Sequence, residues 1–322
     1  MPSSLFTVSN FSSVNQVINK AYRTPFKHWD EFSWIRSKPM QQDSISGLPF
    51  SPELVPLASH QAIATDPNRW MTVLAYRLLA HLQFTTLLEL NHVNPVCSAL
   101  AQGKAPISLT TEQKNDALRI YCDEGGHALF VENLSKKVKE TFNLDHSVIG
   151  QPQFERTLDR LILENQTRIS PNLIKLFFVS ISETLVTKVL KDVPSDPRVA
   201  PVVRDVINDH AVDESLHSVY FRHLFPILWH HLSPDEQEKI GQLLPQLVWA
   251  FLTPDRQYEY NLLRHLGFNK EEAKAILEEV YLPQEVAAEV KQAAKPTLKM
   301  FESSDVFSML SIQQAFADYE LL

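Results

Sequence analysis

Glycine is scarce in this 322-residue chain, with seven residues against twenty prolines. Sheet-rich and loop-rich folds spend more glycine on turns. Few glycines and many prolines suit helices that start on proline and keep glycine out of their interiors. Cysteine is nearly absent: Cys97 and Cys122 are too few for a disulfide framework and the wrong set for a Cys-rich zinc site. Cys122 reads as a small core residue. Positive charge is in deficit, with 30 Lys and Arg against 38 Asp and Glu and a formal net charge of -8. No basic face emerges, which argues against nucleic acid and against anionic membrane surfaces as partners. Long apolar runs are missing too. The most apolar stretch, Leu173 to Ile181, is short and contains Lys175, so no membrane span is expected. Met1 to Gln16 is polar and Ser-rich with no apolar centre, unlike a signal peptide. These absences predict a reducing, cytoplasmic protein.

Helical signals fill the space that is left. Apolar residues are 44% and charged residues 21% of the chain, a globular profile. From Met71 to Leu100 apolar residues recur at three and four spacing, beginning Met71, Leu74, Leu78 and Leu82, with Gly103 as a stop. Thr110 with Gln113 forms a capping box for a helix to about Thr141. Ser170-Pro171 opens a helix to about Val193. A link through Pro194, Pro197 and Pro201 leads to another that ends near His231 and is kinked at Pro226. Ser233-Pro234 with Glu236, Thr253-Pro254, and Asn269 with Glu272 start later helices. The expected fold is all-α in a single helical domain, 1–322. Residues 1–66 wrap the body, 67–232 form a ferritin-like di-metal four-helix core, and 233–322 add flanking C-terminal helices. The last stretch, Val306 to Leu322, is amphipathic and suits a cap on the bundle or a subunit contact.

The chemistry sits in a repeated pattern. Glu-x-x-His occurs at Glu89/His92, Glu124/His127 and Glu214/His217. About one such pair is expected by chance in a chain of this composition, so context decides. His210, Glu214 and His217 stand at i, i+4 and i+7, within an arc of roughly 60° on one helix face. That face is otherwise apolar (Val203, Ile207, Leu224), so it points inward, and buried carboxylates there need partners. The candidates run Glu89, then Glu124-x-x-His127, then Glu183, then Glu214-x-x-His217. This is the ligand order of a four-helix di-metal bundle. In an antiparallel hairpin Glu89 and Glu124 stand at about the same height, provided the first helix runs through Pro95 with a kink. Asp123 and Asp213 precede the two complete motifs, and each can accept the second N–H of the histidine on the opposite helix. Four carboxylates balance two ferrous ions, and hard oxygen donors mixed with imidazoles favour iron or manganese. A manganese/iron pair accepts the same ligands. No catalytic group beyond the ligands is called for.

Glu89, Asp123-Glu124-x-x-His127, Glu183 and His210-x-x-x-Glu214-x-x-His217 resemble the ligand set of the p-aminobenzoate N-oxygenase family, to which the arylamine oxygenase of chloramphenicol biosynthesis is related. His210 is the distinguishing mark, since most four-Glu, two-His bundles lack it. The resemblance covers residues 89–217. It implies a non-haem di-iron monooxygenase of specialised metabolism that takes O₂ as co-substrate through a peroxo-diferric species. Such an enzyme oxidises an arylamine to hydroxylamine, nitroso and nitro products. The resemblance further implies Glu124 and Glu214 as bridging carboxylates, Glu89 and Glu183 as terminal ones, and His127, His210 and His217 as nitrogen ligands. It also implies an external electron donor (a reductase, a ferredoxin or a chemical reductant) and a homodimer.

Other readings stand beside these. The ligands alone also serve a di-iron oxygenase or oxidase acting on C–H bonds or thiols, or a ferritin-like iron-binding protein. Gly125-Gly126, costly inside a helix, reads either as tight packing of a neighbouring helix or as pocket space beside the metals. His92 reads as a structural or surface histidine, and His223, His230 and His231 as helix-end or surface residues. Tyr121 is either a hydrogen-bond donor to the metal-binding groups or a core aromatic. Phe177, Phe178, Phe221 and Phe225 are core packing first and pocket wall second.

Overall fold

The computed structural model describes residues 22–41, 43–185 and 188–322, so the polar Met1–Gln16 stretch lies outside it. The described residues are helical and form no strand. An isolated bridge joins Leu48 to Val199. Five short turns lead in, among them α1 (Trp29–Phe32), α2 (Trp34–Ser37), α3 (Pro56–Ser59) and α4 (Gln61–Ala64). The long elements follow: α5 (Pro67–Leu88), a π-helix at Glu89–Val93, α6 (Asn94–Ala101), α7 (Thr111–Phe142), α8 (Gln153–Asn165), α9 (Pro171–Ser182), α10 (Lys188–Ser195) and α11 (Pro201–His231). Then come α12 (Pro234–Leu252), α13 (Arg256–His265), α14 (Lys270–Val280), α15 (Pro283–Ser303) and α16 (Leu310–Asp318).

Local chemistry explains most of the boundaries. Thr110/Gln113, Ser233/Glu236 and Asn269/Glu272 all form reciprocal capping boxes. Gly103 takes φ +68° and ends α6, a conformation that glycine adopts without penalty. Two expectations are corrected. The helix from Pro171 stops at Ser182, short of Val193. There the Ser182 hydroxyl donates to Val179 O and the Thr184 hydroxyl to Ile181 O, side-chain bonds that compete with the helical ladder. Thr253-Pro254 does not open α13. Asp255 caps it instead, its carboxylate accepting from the Tyr258 N–H.

The apolar interior forms two clusters. One holds Val73 to Leu82 of α5, Val131 to Val138 of α7 and Val203 to Ile207 of α11. The other holds Leu88, Val93 and Cys97, Ala117 and Ile120 of α7, and Tyr220 to Trp229 of α11. Between them the inward faces of α7 and α11 carry acids and histidines. Helical side chains tilt toward the N-terminus, so the Glu89 carboxylate belongs to the same band although its backbone follows Leu88. At the other end of the chain, α16 packs Ile312 and Phe316 inward, and Trp249 on α12 donates to Tyr319 O at 3.0 Å.

The two glycines of α7 differ. A Cβ on Gly126 would overlap Cγ2 of Ile35 on α2, whereas one on Gly125 would meet Asn94 Nδ2 at an ordinary 4.0 Å. Gly126 is therefore the packing surface for the N-terminal segment. Gly125→Ala is expected to raise stability by up to about 1 kcal/mol through helix propensity. Gly126→Ala is expected to lower it by about 1 kcal/mol or more, because α2 must shift. Urea unfolding of the two variants, read side by side, checks the opposite signs.

Candidate metal centre

Glu89 sits on the first residue of the π-helix, between α5 and α6. Pro95 has no N–H for a helical bond. The wider turn immediately before it relieves that break without ending the rod, and π-turns of this kind mark functional positions. Glu124 and His127 come from the middle of α7, and His210, Glu214 and His217 from one face of α11. Glu183 is the residue that caps the C-terminus of α9.

The structure brings all seven residues together. Glu89, His127, His210 and Glu214 place their nearest ligand atoms within 4.8 Å of one another. Glu124, Glu183, Glu214 and His217 do the same, so Glu214 belongs to both groups. Glu124 also reaches both sides: one oxygen lies 3.5 Å from His127 Nδ1 and the other 3.0 Å from His217 Nδ1. His210 Nε2 lies 3.2 Å from Glu89 and 3.1 Å from Glu214.

Although close, many of these atoms are not aligned for hydrogen bonding. Both oxygens of Glu89, both of Glu124, Oε2 of Glu183 and Nδ1 of His127 and His217 are buried without a hydrogen-bond partner. Buried polar atoms are ordinarily paired, and leaving one unpaired costs about 1–3 kcal/mol. Lone pairs of mixed carboxylate and imidazole donors that converge without bonding each other fit divalent cations.

The outward nitrogens are held by crossed aspartates. His127 Nε2 faces Asp213 of α11 at 3.1 Å, and His217 Nε2 faces Asp123 of α7 at 3.3 Å. With Nε2 engaged, Nδ1 of each ring is left to point into the cluster. The aspartates are themselves anchored from the N-terminal segment. Trp29 Nε1 donates to Asp123 at 2.8 Å and the Ser33 hydroxyl at 2.6 Å, while the Trp34 N–H donates to Asp213 at 3.1 Å. Trp34 also lies against the His127 ring, with centroids 5.7 Å apart. Nothing local in the sequence announces these three contacts, which join residues 90 to 179 positions apart.

Electrostatics follow from crowding acids away from water. Burial pushes the Glu89 carboxyl up to about 7, and burial with the charges of Glu214 and Glu124 pushes Glu183 well above the usual range. Burial works against the His210 imidazolium, as does His127, yet the Glu214 and Glu89 carboxylates raise it to about 9. His217 is held well above its ordinary value, the Glu214 charge and the Asp123 hydrogen bond outweighing burial. Glu214 is well below its own, despite burial, because His217 and His210 face it.

Several sequence-level candidates fall elsewhere. Tyr121 is 44% exposed and Cys122 is exposed, because α7 turns Asp123 and Glu124 inward and their predecessors outward. His92 is buried but turned from the cluster, between the rings of Phe154 and Phe178 and 3.5 Å from Glu155. A cavity of about 370 Å³ opens on Glu89, Glu124, Glu183, His210 and Glu214. Its aromatic lining is Phe84, Phe154, Phe251, Tyr258 and Tyr281; Phe177, Phe178, Phe221 and Phe225 are packed into the core away from it, and neither Gly125 nor Gly126 lines it.

A family model described as P-aminobenzoate N-oxygenase AurF matches residues 15–305, a span that contains every residue of the cluster. The chain belongs to this family. It is thus an enzyme of the p-aminobenzoate N-oxygenase family, a family whose members imply a di-iron centre and an amine substrate. No curated protein matches the chain. Among the described residues no helix is long and apolar enough to cross a membrane.

The proton-loaded cluster has a consequence for the metal-free N-oxygenase. Glu89, raised from 4.5, and His210, raised from 6.5, both bind protons more tightly folded than unfolded. Stability from each is full below its unfolded value and is lost as pH rises through about 7 and about 9 respectively. The melting temperature of chelator-treated protein is therefore expected to fall steadily from about pH 6 to about pH 9. A melting temperature that climbs through that window would contradict this picture.

Proposed function

We propose that this chain is a di-iron N-oxygenase of aromatic amines, with two iron ions held by Glu89, Glu124, His127, Glu183, His210, Glu214 and His217. One observation carries the reading: two buried carboxylate–histidine groups overlap at Glu214, with Glu124 reaching both. Glu124 and Glu214 are thereby suited to bridge, and Glu89 and Glu183 to serve one side each. His210 gives the Glu89 side a second nitrogen beside His127.

A reduced iron pair, when bound, supplies electrons and a place for O₂ to be activated. The protein's own contribution is to place the amine and keep water out. Phe84 and Phe154 meet edge to face at 4.7 Å, and Phe84 and Phe251 at 5.5 Å. Together with Leu88, Leu185 and Val290 they make an apolar wall beside the carboxylates, a surface on which an aromatic ring is bound and oriented. Oxidation of an amine to a hydroxylamine inserts one atom of O₂ and reduces the other to water. The reaction draws two electrons and two protons from an external donor. The protons that Glu89 and Glu183 retain in the metal-free protein leave when cations bind, so iron loading is favoured by rising pH.

Iron-loaded protein supplied with O₂, a reductant and a panel of aromatic amines is expected to hold about two irons per chain and to yield N-hydroxylated, nitroso or nitro products by mass spectrometry. Products hydroxylated only on carbon would move the enzyme to the C–H oxygenases. Rapid iron oxidation with mineral growth and no organic product would make it an iron-binding bundle. Asp123→Asn and Asp213→Asn are each expected to weaken ferrous iron binding by about 10–100-fold, because the amide no longer draws the imidazole N–H. Unchanged affinity in both variants, measured by competition with a chelator, would remove the aspartates from the design.

A further inference from the structure

The cavity continues well beyond the carboxylates of the cluster. Arg77, His81 and Thr85 of α5 and Glu89 just past its end follow one another at four-residue spacing, and all four line it. Twelve residues of helix separate Arg77 from Glu89, roughly 18 Å of axis. His81 lies between the two ends: burial pushes its pKa down to about 3, helped by the charges of Arg77 on one side and His210 on the other. It is a neutral ring in the middle of the passage.

At the far end stand an acid and a base that do not pair with each other. Glu259 of α13 is 7% exposed and lines the cavity. Its Oε1 accepts the Tyr281 hydroxyl at 2.6 Å, while its Oε2 is buried with no partner. Burial pushes the carboxyl up to about 7 even though the Tyr281 hydrogen bond and the Arg77 charge pull it down. Arg77 is near enough to act on Glu259, Tyr258 and Tyr281. Its guanidinium lies over the Phe50 ring at 5.5 Å, and among the described residues it forms no ion pair. The two do not form the direct, forked pair in which a guanidinium and a carboxylate satisfy each other. Held apart on the wall of one cavity, they are complementary to a ligand that carries both charges.

We infer that this end of the cavity is a subsite for an α-amino-acid group, whose ammonium is received by Glu259 and whose carboxylate is received by Arg77. The substrate class is then an arylamine with an amino-acid arm, the ring lying along the phenylalanine wall and the arylamine nitrogen toward the carboxylate–histidine cluster. The inference rests on the proposed amine oxidation for its orientation, but not for its binding chemistry. A site with an unpaired acid and base rejects analogues lacking either charge, because a buried group is left without its partner.

The test is equilibrium binding, by calorimetry on the iron-loaded protein, of three related amines: L-4-aminophenylalanine, 4-(2-aminoethyl)aniline and 4-aminobenzoate. The first, with both charges, is expected to bind at least about 10-fold more tightly than either of the others. Glu259→Gln, which keeps an acceptor for Tyr281, should abolish the preference over 4-aminobenzoate. Arg77→Gln should abolish the preference over 4-(2-aminoethyl)aniline. Equal binding of all three amines overturns the subsite, as does an unchanged ranking in both variants when circular dichroism shows them folded. Mass spectrometry of the same mixtures separates the two proposals. Selective binding without N-oxidation sinks the oxygenase and leaves the subsite standing, while N-oxidation without selectivity does the reverse.

Discussion

Burying four carboxylates and three imidazoles within a few ångströms of one another is the constraint around which this molecule is arranged. Acids cannot leave water unless something neutralises them. Protons do part of that work in the metal-free chain, which is why Glu89 and Glu183 titrate high and the histidines hold their charge. Cations would do it better, since they satisfy every converging lone pair at once. The two apolar clusters on either side stiffen the band of polar residues and keep solvent from relaxing it.

The N-terminal segment becomes part of the centre through this constraint. Each ring nitrogen facing outward is fixed by an aspartate on the opposite helix, and each aspartate is fixed in turn by Trp29 and Ser33 or by the Trp34 backbone. Close packing of α2 on α7 requires Gly126. What reads as an unfavourable residue for a helix is the contact that lets this support approach.

Much of this was legible in the chain. The alternation of lone Glu and Glu-x-x-His, the heptad-like spacing of His210, Glu214 and His217, and the aspartate before each motif are local features whose consequences follow from helix geometry. Capping boxes at Thr110, Ser233 and Asn269 marked their helices for the same reason. The rest depended on contacts distant in sequence. No local pattern says that Ser33 will meet Asp123, or that Glu259, on a short and largely polar helix, will be turned into a cavity rather than to solvent. Outward placement of Tyr121 and Cys122 was hidden because an α7 face that carries acids inward looks, residue by residue, like a surface.

The π-helix at Glu89–Val93 closes the chain of causes. A wide turn introduces a phase slip of about one residue, so the segments before and after it no longer share one angular origin. Before it, every fourth residue from Arg77 looks into the passage; after it, Val96, Cys97 and Leu100 are free to face the apolar interior. One continuous rod thus behaves as two independently aimed screws. A change that lengthens or closes that turn would rotate the walls of the cavity against the carboxylate at its end, altering what fits there without replacing a residue that touches it.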